Sequence, residues 1–144
     1  MRLYTVTTNA VTPVVTNDVL TLTAAAGLPV RVKRVRCTGE ASASTVMRTV
    51  IQRSTGGATG GGALTPDKCN SSDAAASTVA VTTWTTQPTL AGIPHYNESW
   101  NAQGGGFDLV LDGRELVLRG GEQLSIRNTV GTGLLSVDVE IEEA

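Results

Sequence analysis

Phe107-Asp108-Leu109-Val110-Leu111-Asp112-Gly113-Arg114-Glu115-Leu116-Val117-Leu118-Arg119-Gly120-Gly121-Glu122-Gln123-Leu124-Ser125-Ile126-Arg127-Asn128 is the stretch that decides the fold class. It holds three runs of alternating apolar residues separated by two clusters of turn residues. Asp112-Gly113 is the dipeptide of a two-residue type I′ hairpin loop, in which both central residues take positive φ. Such a loop pairs Leu111 with Arg114, Leu109 with Leu116 and Phe107 with Leu118, so that Phe107, Leu109, Leu116 and Leu118 share one face. A three-residue loop at Gly120-Gly121-Glu122 then sets Leu118 opposite Leu124 and Leu116 opposite Ile126. A two-residue loop there slips the register and exposes the leucines. Turn chemistry and apolar phase therefore agree on short antiparallel strands, paired as hairpins or crossing between two sheets.

Working outward, the last run is polarised in the same way. Leu135, Val137, Val139 and Ile141 point to one side, and Ser136, Asp138, Glu140 and Glu142 to the other. One face is buried; the acidic face is solvated, guarding an edge, or matched to a basic partner. Further strands are expected over residues 2–8, 19–23, 30–37, 45–53, 78–86 and 134–142. Within residues 30–37 the apolar phase shifts from Val30 and Val32 to Val35 and Cys37, which marks a β-bulge. The alanine runs at residues 24–26 and 74–76 are too short to sustain a helix. The expected fold is all-β: a jelly-roll-like β-sandwich or barrel of about eight to nine short antiparallel strands.

With 144 residues and 14.9 kDa the chain is one domain. Residues 1–18 read as an extended N-terminal arm or a first strand, and residues 19–144 as a single β domain with long loops at 54–77 and 87–106. Loops of that length tend to be functional or interfacial.

Eleven Lys and Arg against thirteen Asp and Glu give a net charge of -2, which argues against nucleic acid as a partner. Five aromatic residues offer few stacking platforms. No apolar run suits a leader or a membrane span, so synthesis in a host cytoplasm and no membrane contact are expected. On compartment grounds Cys37, in a strand, and Cys69, in a loop, read as free thiols. His95 is the lone histidine and lacks a nucleophile motif, so it reads as an exposed structural residue. No metal or phosphate loop is present, and no catalytic residue or cofactor is expected.

The features left over are of the kind that meet partners. Leu3, Tyr4, Val6, Val11 and Pro13 form an extended β-prone segment able to add a strand to an exposed edge. Arg31, Lys33, Arg34 and Arg36 are the densest charge in the chain. They read either as a solvated strand or as a docking stripe, which would suit intersubunit pairing with Asp138, Glu140 and Glu142. Arg31 and Lys33 fall on one face and Arg34 and Arg36 on the other, unless a bulge realigns them. In the second long loop, Pro94, Tyr96 and Trp100 combine rigidity with aromatic types enriched at interfaces. Trp84, Tyr96 and Trp100 are also the residues able to stack on a sugar, whereas packing in the core is their commoner use.

Asn101-Ala102-Gln103-Gly104-Gly105-Gly106-Phe107, followed by the run from Glu115 to Asn128, resembles the C-terminal part of small tailed-bacteriophage structural proteins. The likeness is to the jelly-roll capsid decoration (cement) proteins, with their Leu-Arg-Pro-Gly-Glu type turn before Leu-x-Ile/Val-x-Asn. Here Gly120 stands where proline is usual, which loosens the turn. The resemblance covers the last third of the chain and describes a turn, not a chemical site. It implies a non-enzymatic virion component: a homotrimer that binds the major capsid protein on the outer capsid surface. The alternative it leaves is a receptor- or glycan-binding module of a tail or fibre.

Overall fold

The computed structural model describes residues 1–56 and 60–144, and among them no helix occurs. The strands are β1 (Arg2–Val11), β2 (Asp18–Thr23), β3 (Val30–Gly39), β4 (Val46–Thr55), β5 (Gly62–Leu64), β6 (Asp67–Lys68) and β7 (Val79–Thr82). They continue as β8 (Thr89–Leu90), β9 (Tyr96–Asn101), β10 (Gly106–Val110), β11 (Leu116–Leu118), β12 (Gln123–Val130) and β13 (Leu135–Glu143). Two antiparallel sheets face each other. The first runs β10-β3-β13-β1-β6 with β11 also on β3, and the second β5-β7-β2-β12-β4-β8 with β9 also on β4. With β10 and β11 counted as one strand and the short β5 to β8 set aside, the first sheet takes the chain in the order first, eighth, third, sixth. The second takes it as second, seventh, fourth, fifth. That is the jelly-roll order, an open sandwich and not a closed barrel.

Alternation builds the core. Tyr4 and Val6 of β1, Val32 and Val35 of β3, and Val137, Val139 and Ile141 of β13 line the first sheet's inner face. Leu20, Leu22, Met47, Ile51, Leu124 and Ile126 oppose them from the second. Each such aliphatic side chain contributes about 1.5–3 kcal/mol by leaving water.

The expected hairpin at Asp112-Gly113 does not form. β10 and β11 lie in line along β3, Leu109 opposite Val35 and Leu116 opposite Val32, so they are two pieces of one edge strand. The turn itself is there: the Arg114 N–H donates to the Leu111 carbonyl at 2.9 Å. Gly113 has φ +82°, but Asp112 does not enter the left-handed region, so the geometry is not the type I′ that would reverse the strand. Nor do Leu118 and Leu116 pair with Leu124 and Ile126, because the chain crosses from the first sheet to the second at residues 119–122. The inward phase of those side chains survives either connection, which is why apolar pattern alone could not separate them.

Three other expectations are resolved. Of the two readings of residues 1–18, an arm or a first strand, residues 2–11 take the second, bonded to β13 from Arg2 opposite Glu143 to Val11 opposite Leu135. The loop expected at 87–106 contains β8 and β9, and the one at 54–77 contains β5 and β6. The strand expected over 78–86 stops at Thr82, where Thr83 turns left-handed with φ +56°.

The excursion between β4 and β9 works as a strap. β6 adds to β1 at one edge of the first sheet, and β7 adds to β2 at the matching edge of the second. One flank of the sandwich is covered in this way. The other flank ends on β9 and on β10 and β11.

Candidate functional site

The basic strand is where sequence and structure meet most directly. In the β3–β13 ladder Glu140 pairs with Arg34 and Ile141 with Val32, so Lys33 is the extra residue of a bulge. The bulge keeps Val30, Val32, Val35 and Cys37 inward and turns all four cations to the outer face of the first sheet. Acids flank them on both sides. Arg36 Nη2 lies 2.6 Å from Asp138, and Arg34 Nε donates to Asp108 at 2.8 Å with Glu140 at 3.7 Å. Lys33 Nζ sits 2.8 Å from Glu115, 3.1 Å from Asp112 and 3.7 Å from Glu142. The loop at residues 111–115 thus folds its acids over the bulge. Its hydrogen bond to Lys33 holds the Glu115 carboxyl down at about 2, and Arg34 likewise holds Asp108 below the usual carboxylate range. The pairing expected between subunits is satisfied within the chain; of the four cations only Arg31 makes no ion pair among the described residues.

The outer face of the second sheet is built on the opposite plan: it is polar and covered. Asp18 Oδ2 accepts from Thr21 Oγ1 and Ser125 Oγ, each at 2.5 Å, and Asp18 Oδ1 from Arg127 Nε at 2.6 Å. Residues 83–95 run across this layer and are bonded to it. Trp84 Nε1 donates to Thr21 Oγ1 at 2.8 Å, Arg127 Nη2 to the Pro88 carbonyl at 2.7 Å, and Gln52 Nε2 to the Gly92 carbonyl at 2.9 Å. The Asp18 N–H donates to Gln87 Oε1 at 2.8 Å. Glu143 anchors the strap's other half: its buried carboxylate accepts from the Thr78 N–H at 2.7 Å, Thr78 Oγ1 at 2.6 Å and the Ser77 N–H at 2.9 Å. Tyr4 donates to the Ala74 carbonyl nearby at 2.9 Å.

The remaining candidates divide between core and surface. Tyr4, Val6 and Pro13 are buried within this chain, Val11 is half-buried, and Leu3 alone of that set is exposed. Trp100 is a core residue of β9; its Nε1 donates to Thr49 Oγ1 at 3.0 Å and its ring meets Phe107 edge-on at 6.1 Å. It therefore offers no face to a sugar or partner. Tyr96 is half-buried against the core, and Pro94 is exposed. Sequence reading missed Asp18, Arg127 and Glu143. It also passed over Ile93, an apolar residue between Gly92 and Pro94 in a polar setting and the one large side chain of that loop left almost wholly exposed.

His95 is exposed, and its backbone N–H donates to the Ile51 carbonyl. Partial desolvation and, secondarily, Arg53 lower its pKa. Cys37 is buried and Cys69 exposed, both free; burial pushes the Cys37 thiol up. No group of three metal-ligating side chains occurs among the described residues.

The arrangement defines a jelly-roll domain whose distinctive chemistry lies in surfaces. No family model, curated protein or solved structure matches the chain.

Proposed function

We propose that this chain is a non-enzymatic bacteriophage virion protein, a capsid decoration protein that binds the major capsid protein on the outer capsid surface as a homotrimer. The observation that carries this reading is the distribution of exposed apolar side chains. Val15, Val46 and Val130 lie round one end of the sandwich, Val46 at 68% exposure, and the loops there, residues 12–17, 40–45, 102–105 and 131–134, carry a single charge, Glu40. Elsewhere charge is denser and in part paired, as at Lys33, Arg34, Arg36 and Arg53, so this weakly charged end is a surface that gains from being covered. The end is also firm. The loops there are cross-bonded, with the Ala41 N–H to the Ala102 carbonyl at 3.0 Å and the Glu40 N–H to the Leu134 carbonyl at 2.8 Å. A firm surface loses little entropy on docking. The likeness to cement proteins in the C-terminal third points the same way.

Co-sedimentation with expanded capsids of the parent phage tests the reading. The wild-type chain pellets with capsids, and the variant V46D/V130D stays in the supernatant with unchanged circular dichroism. A wild-type chain that fails to pellet ends the proposal.

A further inference from the structure

We propose that copies of this chain associate head to tail, the Ile93-Pro94 tip of one copy seating in the cleft between residues 11–19 and 82–84 of the next. The proposal rests on the homotrimer read above and names its contact.

The cleft has a volume of about 240 Å³, with Val11, Pro13, Val14 and Val19 on one side and Trp84 on the other. Asp18, its one charged neighbour, is already bonded to Arg127, Thr21 and Ser125, so the cleft presents no free charge. Val14 stands at the rim, 60% exposed. Among the described residues, the three non-glycine positions with left-handed backbone are next to this place: Ala10 (φ +48°) and Thr16 (φ +75°) on one side, Thr83 (φ +56°) on the other. A β-branched residue in that region is a genuine outlier, and such strain collects where surroundings hold a shape for use. Here Thr83 lines the cleft itself, and Ala10 and Thr16 flank the segment that forms its other wall.

The tip complements it. Ile93 is 84% exposed, carried on Gly92 (φ +72°) and stiffened by Pro94. Gln52 pins the tip from below through the Gly92 carbonyl, and the Ala91 N–H donates to the Arg53 carbonyl at 2.8 Å. An exposed branched aliphatic side chain on a fixed turn is a knob of the size and polarity the cleft accepts.

Placement makes the contact heterologous. The second sheet runs β7-β2-β12-β4 and then β8 or β9; the cleft lies on the β2–β7 flank and the tip on the β4–β8 flank. They stand at nearly the same height, because Ile51 beside the tip is opposite Ile126, which is opposite Leu20 beside the cleft. Neither surface can meet itself, so copies join side by side, and a turn between them closes a ring. Residues 83–95 carry one cleft wall and the knob on a single strap, which the Asp18–Arg127 layer holds in position.

Light scattering at on the order of tens of micromolar chain tests this with Ile93→Asp and, separately, Val14→Asp. Both residues are exposed, so the β-sheet circular dichroism is expected to stay unchanged while the trimer gives way to monomer; Ile93→Met keeps the trimer. A Cys69→Ser chain carrying both Ile93→Cys and Val14→Cys forms covalent trimers on oxidation, and neither cysteine alone does so. A trimer that persists in Ile93→Asp overturns the contact while leaving capsid binding and the trimer standing. A wild-type monomer overturns the contact and the trimer together, and co-sedimentation still judges capsid binding on its own.

Discussion

The outer faces of the two sheets carry similar chemistry in opposite settings. On the first sheet, Lys33, Arg34 and Arg36 interleave with Asp108, Glu115, Asp138 and Glu140 in a ladder open to water. On the second, a single pair, Asp18 and Arg127, lies under the strap with the Asp18 side chain fully buried. The open ladder has more ion pairs and the weaker hold, because water and salt screen it. The covered pair is held by several further hydrogen bonds, and each partner is costly to leave alone. Ion pairs here are thus not interchangeable units; cover decides what each one does. On the first sheet they keep an outer face soluble and specify register. On the second they fix a strap.

The sharpest way to break the contrast is at the covered pair. Asp18→Ala leaves a guanidinium under the strap without its carboxylate, and a loss of about 3–5 kcal/mol in chemical unfolding is expected. Replacing both members, Asp18→Leu with Arg127→Met, should cost less than either single change, since no charge is then stranded. A double variant as unstable as the singles would mean that the hydrogen bonds to Thr21, Pro88 and Ser125, not the charge, hold the strap.

Glu143→Ala is the next step down. It leaves the Thr78 N–H without a partner inside the protein, at about 1–3 kcal/mol for a buried donor. The loss should be local first: amide exchange at residues 74–78 speeds up more than exchange in β12 or β13. Uniform acceleration along the chain would show that the anchor belongs to the global fold and not to the strap.

How much of this was legible in the sequence follows the same division. Alternation showed the inward sets of β3, β12 and β13, because a two-residue period reports burial whichever strand lies alongside; Tyr4 and Val6 of β1 were read as partner contacts and are core residues. The phase slip between Val32 and Val35 showed the bulge, since an inserted residue must shift the pattern. Strand pairing was not legible. Asp112-Gly113 has the composition of a reversing turn, yet the same residues serve an excursion in a single edge strand, and the choice is made by β3 and its bulged Lys33. The covered layer was hidden for a further reason. Gln52, Ser125 and Arg127 sit on faces that alternation assigns to solvent, Asp18 shares the parity of Leu20 and Leu22 and is turned outward by the register shift at Val19, and only the path of residues 83–95 encloses them. Trp100 misled in the other direction: an aromatic among polar neighbours in Asn97-Glu98-Ser99-Trp100-Asn101 belongs to an edge strand whose inner position it fills.

The smallest expected effect lies on the open ladder and is read through pH. Glu115, whose ordinary value is 4.5, is held at about 2 by Lys33, and Asp108 is held below its ordinary value by Arg34. The folded chain therefore prefers both carboxylates ionised. Their stabilisation is complete above the unfolded values and is lost as pH falls through the folded ones. His95, lowered by desolvation, acts in the same direction, because the unfolded chain takes up its proton first as pH drops below 6.5. Lys33 is raised, so its share is complete below its ordinary 10.5 and disappears only in strong alkali. The melting temperature should accordingly be level through the neutral range, slope gently down from pH 6.5, and fall more steeply between about pH 4.5 and 2. Arg34→Ala and Lys33→Ala should each make that acid limb shallower, and added salt should do the same in the wild type. If the limb keeps its steepness in both variants, the open face contributes nothing to acid stability.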